Sequence, residues 1–171
     1  MSTEQLSFRR LSIPSKSPVA AFIGFKDIET DDPKILLAKK PSGRYTLPGG
    51  KSRFWEKPMS TAIRETKEET GWKIYNSEYL ISPTNNPVRI AADGFERDMY
   101  LFFGFTDECM DNNTPQHREP TKNAPWEWVS VRKIPTLVTT GQLHPMILKA
   151  ELSNIVKEAC EVCEQEIPPK W

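Results

Sequence analysis

The stretch that decides the fold runs from residue 47 to residue 72 and reads LPGGKSRFWEKPMSTAIRETKEETGW. Its second half predicts a helix over Pro58–Thr70, because proline suits the first helical position and Gly71 suits the position just past the end. Small and apolar side chains recur at helical spacing within it and form a stripe that is expected to face the core. The members of this stripe are Met59, Ala62, Ile63, Thr66 and Thr70.

Three carboxylates follow the same helix on the side away from the stripe. Glu65, Glu68 and Glu69 stand at positions i, i+3 and i+4 and share one face, with Glu69 nearest the border of the stripe. Like charges at this spacing destabilise a helix by roughly a few tenths of a kcal/mol per pair. A divalent cation reverses the sign of that interaction, and Mg²⁺ prefers oxygen ligands together with waters and phosphates. We therefore expect a solvent-facing metal site, with an ordinary solvated acidic face as the alternative.

The loop before the helix favours the metal site over that alternative. Pro48-Gly49-Gly50 breaks the chain and lets the backbone approach a ligand closely. Lys51 and Arg53 lie in the same loop, where they can meet phosphate. Arg44, just before the glycine turn, can line the same pocket. We therefore expect Arg44, Gly49, Lys51 and Arg53 to contact the substrate.

The whole segment resembles the Nudix box, G-x5-E-x7-R-E-U-x-E-E-x-G-U, in which U is a bulky apolar residue. Thr66 and Trp72 depart from the two U positions, which concerns local packing rather than chemistry. Shorter matches, such as Trp126-Glu127-Trp128-Val129, extend the resemblance over residues 18–135. The fixed positions of the box all match at the required spacing: Gly50, Glu56, Arg64, Glu65, Glu68, Glu69 and Gly71.

The resemblance implies the fold and the reaction. The fold would be α+β, an α/β/α sandwich with a mixed central sheet that carries the Nudix loop and helix. The reaction would be the hydrolysis of a phosphoanhydride bond in a nucleoside diphosphate derivative, with Mg²⁺ as cofactor and Mn²⁺ as the alternative ion. Glu68, Glu69 and the carbonyl of Gly50 would hold the metal. Glu65 would be either a metal ligand or the general base.

Three further residues receive supporting or additional roles from the resemblance. Arg64 would orient the carboxylates by bidentate pairing and would be structural as well as catalytic. Glu56 would support the metal site or its loop. Glu119 is the candidate for a metal-binding carboxylate outside the box, with Glu127 and Glu96 as alternatives and an ordinary loop carboxylate as the competing interpretation.

The outer motifs concern the substrate. Glu119-Pro120 and Thr84-Asn85-Asn86 are similar to the branch that converts nucleoside triphosphates to monophosphates and pyrophosphate. Pro87, fifteen residues after Trp72, resembles instead a marker of hydrolases of ADP-ribose and other nucleotide sugars. Dinucleoside polyphosphates, RNA caps and prenyl diphosphates stay open. A non-catalytic nucleotide-sensing domain is a different class, and the complete set of box carboxylates argues against it.

Length and composition bound the remaining expectations. The 171 residues fit a single domain, with a core over about 18–160 and a flexible N-terminal extension over 1–16. The formal net charge of zero argues against binding to bulk nucleic acid or a membrane surface, so a small nucleotide is the expected partner, with a homodimer left open. Three cysteines and the absence of a secretory signal favour a reducing, cytoplasmic location.

Outside the box, patterning predicts the other elements. A continuous apolar run over 99–105 is expected to be a buried central strand. Residues 82–94 and 107–125 are rich in Pro and Asn or otherwise polar and are expected to be loops. The other expected elements are strands over 19–25, 34–38, 44–47, 72–82 and 126–131 and a helix within 143–165.

Overall fold

The computed structural model describes residues 17–28, 30–74, 87–92, 95–105 and 115–144. The N-terminal extension, most of the strand expected over 72–82 and nearly all of the C-terminal helix lie outside them. The three cysteines, Cys109, Cys160 and Cys163, also lie outside the described residues.

A mixed β-sheet forms the centre of the described structure. Its strands are β1 Val19–Lys26, β2 Lys34–Lys39, β3 Tyr45–Thr46, β4 Gly49–Lys51, β5 Val88–Ala92, β6 Phe95–Phe105 and β7 Glu127–Ser130. The two central strands, β1 and β6, run parallel, from the pair Val19 and Met99 to the pair Phe25 and Phe105. The other strand pairs are antiparallel, and the order along the main path is β3-β2-β1-β6-β5, with β4 paired to β1 and β7 paired to β2.

Helices cover both faces of this sheet. Alternation along β1 sends Phe22 to one face, where it belongs to the same buried cluster as Ala62 of the first helix. The neighbouring Ile23 lies on the other face and belongs to the same buried cluster as Leu137 of the second helix. The sheet therefore lies between two helical layers, which confirms the predicted α+β fold and mixed sheet. The helices are α1 Pro58–Thr70, a 3-10 helix Val131–Lys133 and α2 Ile134–Thr139. No helix in the described part of the chain is long and apolar enough to cross a bilayer.

Helix α1 has the bounds that the sequence predicts. Gly71 adopts a left-handed φ of 79° and its N–H donates to the carbonyl of Lys67 at 2.9 Å, which ends the helix. The buried hydroxyl of Thr66 donates to the carbonyl of Ala62 at 2.7 Å, so this threonine satisfies its polar atom within the helix. Trp72 is 2% exposed and packs on Trp128 with ring centroids 5.3 Å apart. Both departures from the box are thus accommodated by packing.

Several element predictions outside α1 were wrong. Val88–Ala92, expected as a loop, is strand β5 paired with β6, and β6 begins at Phe95 rather than at residue 99. Gly49–Lys51, expected as a chain break, is strand β4. The short helix α2 was not predicted, because Pro135 and the four β-branched residues among its six disguise its helical character.

Candidate metal and phosphate site

Two adjacent glycines let the chain approach helix α1 closely. Strand β4 pairs antiparallel with β1, where Gly49 lies opposite Ala21 and Gly50 opposite Ala20. A Cβ on Gly49 would lie 2.5 Å from the carbonyl oxygen of Ala20, so only glycine permits this strand pairing. A Cβ on Gly50 would lie 2.5 Å from both Cδ and Oε1 of Glu65. Glycine at position 50 therefore leaves room for the Glu65 carboxylate against the backbone of β4.

A single guanidinium joins the loop to the helix. Arg64 donates from Nε to Oε2 of Glu56 at 2.8 Å and from Nη2 to Oε1 of the same carboxylate at 2.9 Å. Its Nη1 donates to Oε1 of Glu65 at 3.0 Å and to Oε2 of Glu68 at 3.2 Å. Its Nη2 also donates to the carbonyl of Lys51 at 3.1 Å. Arg64 thereby ties three glutamates and the loop backbone to one position.

Glu56 is the anchor of the loop that leads into α1. Beside the Arg64 pair, its Oε1 accepts from the hydroxyl of Thr61 at 2.7 Å and from the backbone N–H of Arg53 at 3.2 Å. The Arg64 guanidinium, with help from Thr61 and Arg53, lowers the pKa of Glu56 to about 2 despite partial burial. The same pairing raises the pKa of Arg64. Glu56 therefore remains a carboxylate throughout the neutral range.

The expectation that all three helix glutamates face solvent was wrong for Glu69. This residue is 7% exposed, because the chain after residue 115 covers the end of α1. In that cover, the backbone N–H of Gln116 donates to the carbonyl of Thr70 at 2.8 Å and Trp126 Nε1 donates to the carbonyl of Glu69 at 3.2 Å. The side chain of Glu65 is 14% exposed and that of Glu68 is 48% exposed. Only Glu68 therefore reaches well into solvent.

Burial changes the acidity of Glu69. Loss of hydration raises the pKa of its carboxyl to about 8, and repulsion from Glu65 and Glu119 adds to the increase. The charge of Lys122 and a hydrogen bond from the backbone N–H of Gly49 oppose it. Without a bound cation, this carboxyl therefore keeps its proton at neutral pH.

Glu119 lies beside this buried carboxyl, although it comes from a distant part of the sequence. Its Oε2 is buried and has no hydrogen-bond partner among the described residues, and Nζ of Lys122 forms an ion pair with it at 3.4 Å. The two alternatives lie in more exposed surroundings, since Glu96 pairs with Arg89 at 3.2 Å with a side chain 78% exposed, and Glu127 is exposed. Among the three candidates outside the box, the structure brings Glu119 to the site.

The donor set has the chemistry that a hard divalent cation requires. The charges of Glu65 and Glu119 act on the buried carboxyl of Glu69, and among the described residues Oε2 of Glu119 has no hydrogen-bond partner. In the described residues no three acidic, His or Cys side chains converge tightly enough to hold an ion as they stand. Glu65 and Glu68 instead accept hydrogen bonds from Arg64. The half-exposed side chain of Glu68 has room to adopt other rotamers.

A cleft of about 440 Å³ opens beside these carboxylates. Three of the residues predicted to contact substrate, Gly49, Lys51 and Arg53, line it. Arg44 does not line it: this residue is exposed in the turn before β3, where its charge acts on His144. The full lining consists of Gly49, Gly50, Lys51, Arg53, Arg64, Glu65 and Lys122.

Sequence reasoning missed Lys122, which follows Glu119-Pro120 in the chain but belongs to no motif. The signal that was available is its spacing of i+3 from Glu119, which suits an ion pair across a turn.

Two large aromatic side chains next to Arg53 face solvent. Phe54 is 97% exposed and Trp55 is 79% exposed.

Comparison with known proteins identifies the family. The model of the NUDIX domain matches residues 19–148, which is most of the chain. The chain belongs to the Nudix family. The predicted family is thereby confirmed, and the box residues described above lie within the matched region.

Relatives and a solved structure agree with this assignment. The chain is 31% identical over 113 residues to the Nudix hydrolase YvcI of Bacillus subtilis, covering 64% of this chain and 66% of YvcI. It is 27% identical over 140 residues to the NAD-capped RNA hydrolase NudC of Vibrio atlanticus, covering 80% of this chain but 47% of NudC. The chain thus spans about half to two thirds of these relatives. The NUDIX domain of Shewanella oneidensis NrtR, solved with ADP ribose, has the same fold, with a TM-score of 0.60, 14% identity and coverage of 93% and 99%.

Proposed function

We propose that this Nudix protein is a metal-dependent hydrolase that cleaves a phosphoanhydride bond in a nucleotide derivative. The observation that carries the proposal is the position of a repelling carboxylate cluster, Glu65, Glu69 and Glu119, next to a cleft lined by cations. Phosphoanhydride cleavage requires neutralisation of phosphate charge and a positioned water, and this arrangement offers groups for both. Burial of Glu69 disfavours its ionised form, and an acidic face with only a structural role would not require that burial.

In this proposal the box carboxylates hold the ion. Glu68, Glu69, the carbonyl of Gly50 and Glu119 are the ligands, and Mg²⁺ is the expected ion because all these donors are oxygens. When bound, the ion supplies charge neutralisation on the phosphates and lowers the pKa of a coordinated water. Glu65 either completes the ligand set or accepts the proton of the attacking water. The ligand set is compatible with both roles, since Glu65 lies between the β4 backbone and Arg64.

Arg64 and Glu56 act in this proposal through other residues. The guanidinium of Arg64 directs Glu65 and Glu68, and Glu56 fixes Arg64 in turn. Because the pKa of Glu56 is about 2, its carboxylate stays ionised at any pH well above that value. This support for Arg64 therefore persists throughout the neutral range. Loss of either residue would therefore misplace the ligands rather than remove one.

Lys51 and Arg53 are proposed to contact the phosphates, together with the close backbone of Gly49. Several cations in one cleft suit a substrate with several phosphate charges, so a nucleoside triphosphate is the first candidate. Water would attack one phosphorus, the bridging P–O bond would break, and the products would be a nucleoside monophosphate and pyrophosphate. Arg44 is not assigned a substrate contact in this proposal, because it does not line the cleft.

A substrate panel with product identification tests this proposal. The purified protein is incubated with Mg²⁺ and with nucleoside triphosphates, ADP-ribose, dinucleoside polyphosphates and an NAD-capped RNA, and the products are separated. Monophosphate and pyrophosphate from a triphosphate are the expected products. Turnover of ADP-ribose far above that of any triphosphate would replace the triphosphate with a nucleotide sugar. Nucleotide binding without hydrolysis of any panel member would contradict an enzymatic role and favour a sensing domain.

A further inference from the structure

The ammonium group of Lys122 lies beside Glu119, one of the carboxylates proposed to bind the ion. Its Nζ lies 3.4 Å from Oε2 of Glu119. Burial lowers the pKa of Lys122, but the charges of Glu119, Glu69 and Glu65 outweigh burial and raise the pKa overall. The effect is mutual, because the charge of Lys122 favours the ionised form of Glu69. Lys122 therefore places a positive charge beside carboxylates that repel one another.

The backbone around Lys122 is anchored, whereas its side chain is not enclosed. Its N–H donates to the carbonyl of Glu119 at 3.0 Å and closes a turn. The loop is attached to α1 through Gln116 and to β2 through Ala124, whose N–H donates to the carbonyl of Lys39 at 2.8 Å. The side chain of Lys122 is 65% exposed and lines the cleft. Its ammonium group can therefore move while the loop stays in place.

We propose that Lys122 is the resident counter-ion of the Glu65, Glu69 and Glu119 cluster, that a divalent cation displaces its ammonium group, and that the displaced group then contacts a substrate phosphate. This inference rests on the proposed function, because it needs an ion site and a phosphate in the same cleft. Lys122 itself makes or breaks no covalent bond in the exchange and keeps its proton throughout. Rotation of its exposed side chain is sufficient to move the ammonium group.

This role has two opposite consequences for binding. The charge of Lys122 competes with the incoming cation, so the lysine weakens metal binding. Once displaced, the same charge attracts phosphate, so the lysine strengthens substrate binding. A residue that merely held Glu119 in position would strengthen both. The two directions therefore separate a counter-ion from a structural lysine.

Calorimetric titration of the chelator-treated protein with Mg²⁺, and separately with Mn²⁺, tests the first consequence. Lys122→Met is expected to bind the ion roughly tenfold more tightly, the effect of removing one nearby charge from a half-exposed site. Lys122→Arg, which keeps the charge, should remain close to wild type. The matched control is Lys67→Met, because Lys67 is an exposed lysine of α1 that is not among the charges acting on Glu69. Unchanged or weaker ion binding by Lys122→Met would overturn the proposal.

Titration with inorganic pyrophosphate at saturating Mg²⁺ tests the second consequence. Lys122→Met is expected to bind pyrophosphate roughly tenfold more weakly, while Lys67→Met should match wild type. Unchanged pyrophosphate binding would overturn the phosphate contact. Both titrations are made without turnover, so they remain decisive even for a protein that hydrolyses no nucleotide. Failure of the proposed hydrolysis and failure of the counter-ion role are therefore distinguishable.

Discussion

Replacing the buried carboxyl of Glu69 by an amide should change how the stability of the metal-free protein depends on pH. The ordinary pKa of this group is 4.5, and burial raises it to about 8 in the folded chain. Between these values the folded protein holds a proton that the unfolded chain has released. The folded state therefore binds more protons, and the free energy of unfolding falls as pH rises through this window.

The size of the effect follows from the two pKa values. Each pH unit between 4.5 and about 8 removes about 1.4 kcal/mol, so the full loss is on the order of 5 kcal/mol. Such a loss is a large fraction of the roughly 5–15 kcal/mol that stabilises an ordinary domain. Glu69→Gln cannot ionise, and its amide oxygen can still accept from the N–H of Gly49. The variant should therefore equal wild type near pH 5 and exceed it by several kcal/mol near pH 9, in line with this arithmetic.

Urea unfolding of EDTA-treated protein at several pH values between 5 and 9 measures this difference. Glu68→Gln is the matched control, since it makes the same chemical change on a side chain that is 48% exposed, and it should follow wild type. Saturating Mg²⁺ should restore most of the lost stability to wild type, because the cation favours the ionised carboxyl. A stability difference between Glu69→Gln and wild type that stays constant from pH 5 to pH 9 would refute the reasoning.

Three other changes should have distinct effects. Gly50→Ala places a carbon 2.5 Å from the carboxyl of Glu65, so steady-state kinetics should record a loss of activity of roughly 100-fold; near-normal kcat/KM would contradict the close approach. Arg64→Lys keeps the charge but loses the two-pronged contact with Glu56, and urea unfolding should detect a loss of about 2 kcal/mol. Unchanged stability would show that the two-pronged contact contributes little to the free energy of unfolding. Chelation by EDTA should abolish turnover and Mg²⁺ should restore it, whereas activity that survives chelation would exclude the ion from the reaction.

Local signals made helix α1 predictable to the residue. A proline and a glycine mark its bounds, because proline lacks an N–H that the first turn would leave unpaired and glycine readily adopts the left-handed conformation that ends a helix. The apolar stripe needed no more than the helical period, and its buried members Ala62, Thr66 and Thr70 lie where the period places them. The box residues are also close in the sequence, and Glu56, Arg64 and Glu65 lie in one hydrogen-bond network.

Strands β4 and β5 were missed because their defining contacts are not local. Gly49 and Gly50 have no side chains to report a strand, and their pairing with β1 depends on residues about 30 positions away in the chain. For β5 a usable signal existed. Asp93-Gly94, a dipeptide typical of tight hairpins, stands in the sequence between Val88–Ala92 and the run that begins at Phe95. Pro87 and the preceding asparagines are typical of a loop and so masked this hairpin signal.

The burial of Glu69 and the position of Lys122 beside Glu119 could not be predicted from the helix alone. Both depend on the chain after residue 115, which lies over the end of α1 through hydrogen bonds from Gln116 and Trp126. A helical wheel places Glu69 at the border of the apolar stripe, but a tertiary contact decides on which side of the border it lies. The same chain segment brings Glu119 to the buried Glu69, and the charges of Glu119 and Glu65 both act on its carboxyl.

The kcat/KM of Glu68→Gln relative to wild type, with Mg²⁺ and the best nucleotide of the substrate panel, tests the central claim most directly. Glu68 contacts Arg64 and is half exposed, so its amide variant should fold normally, which circular dichroism and thermal unfolding can verify. Loss of one ion ligand should reduce kcat/KM by roughly 100-fold or more. Turnover by the variant at the wild-type rate would contradict the account of this acidic site as the catalytic centre.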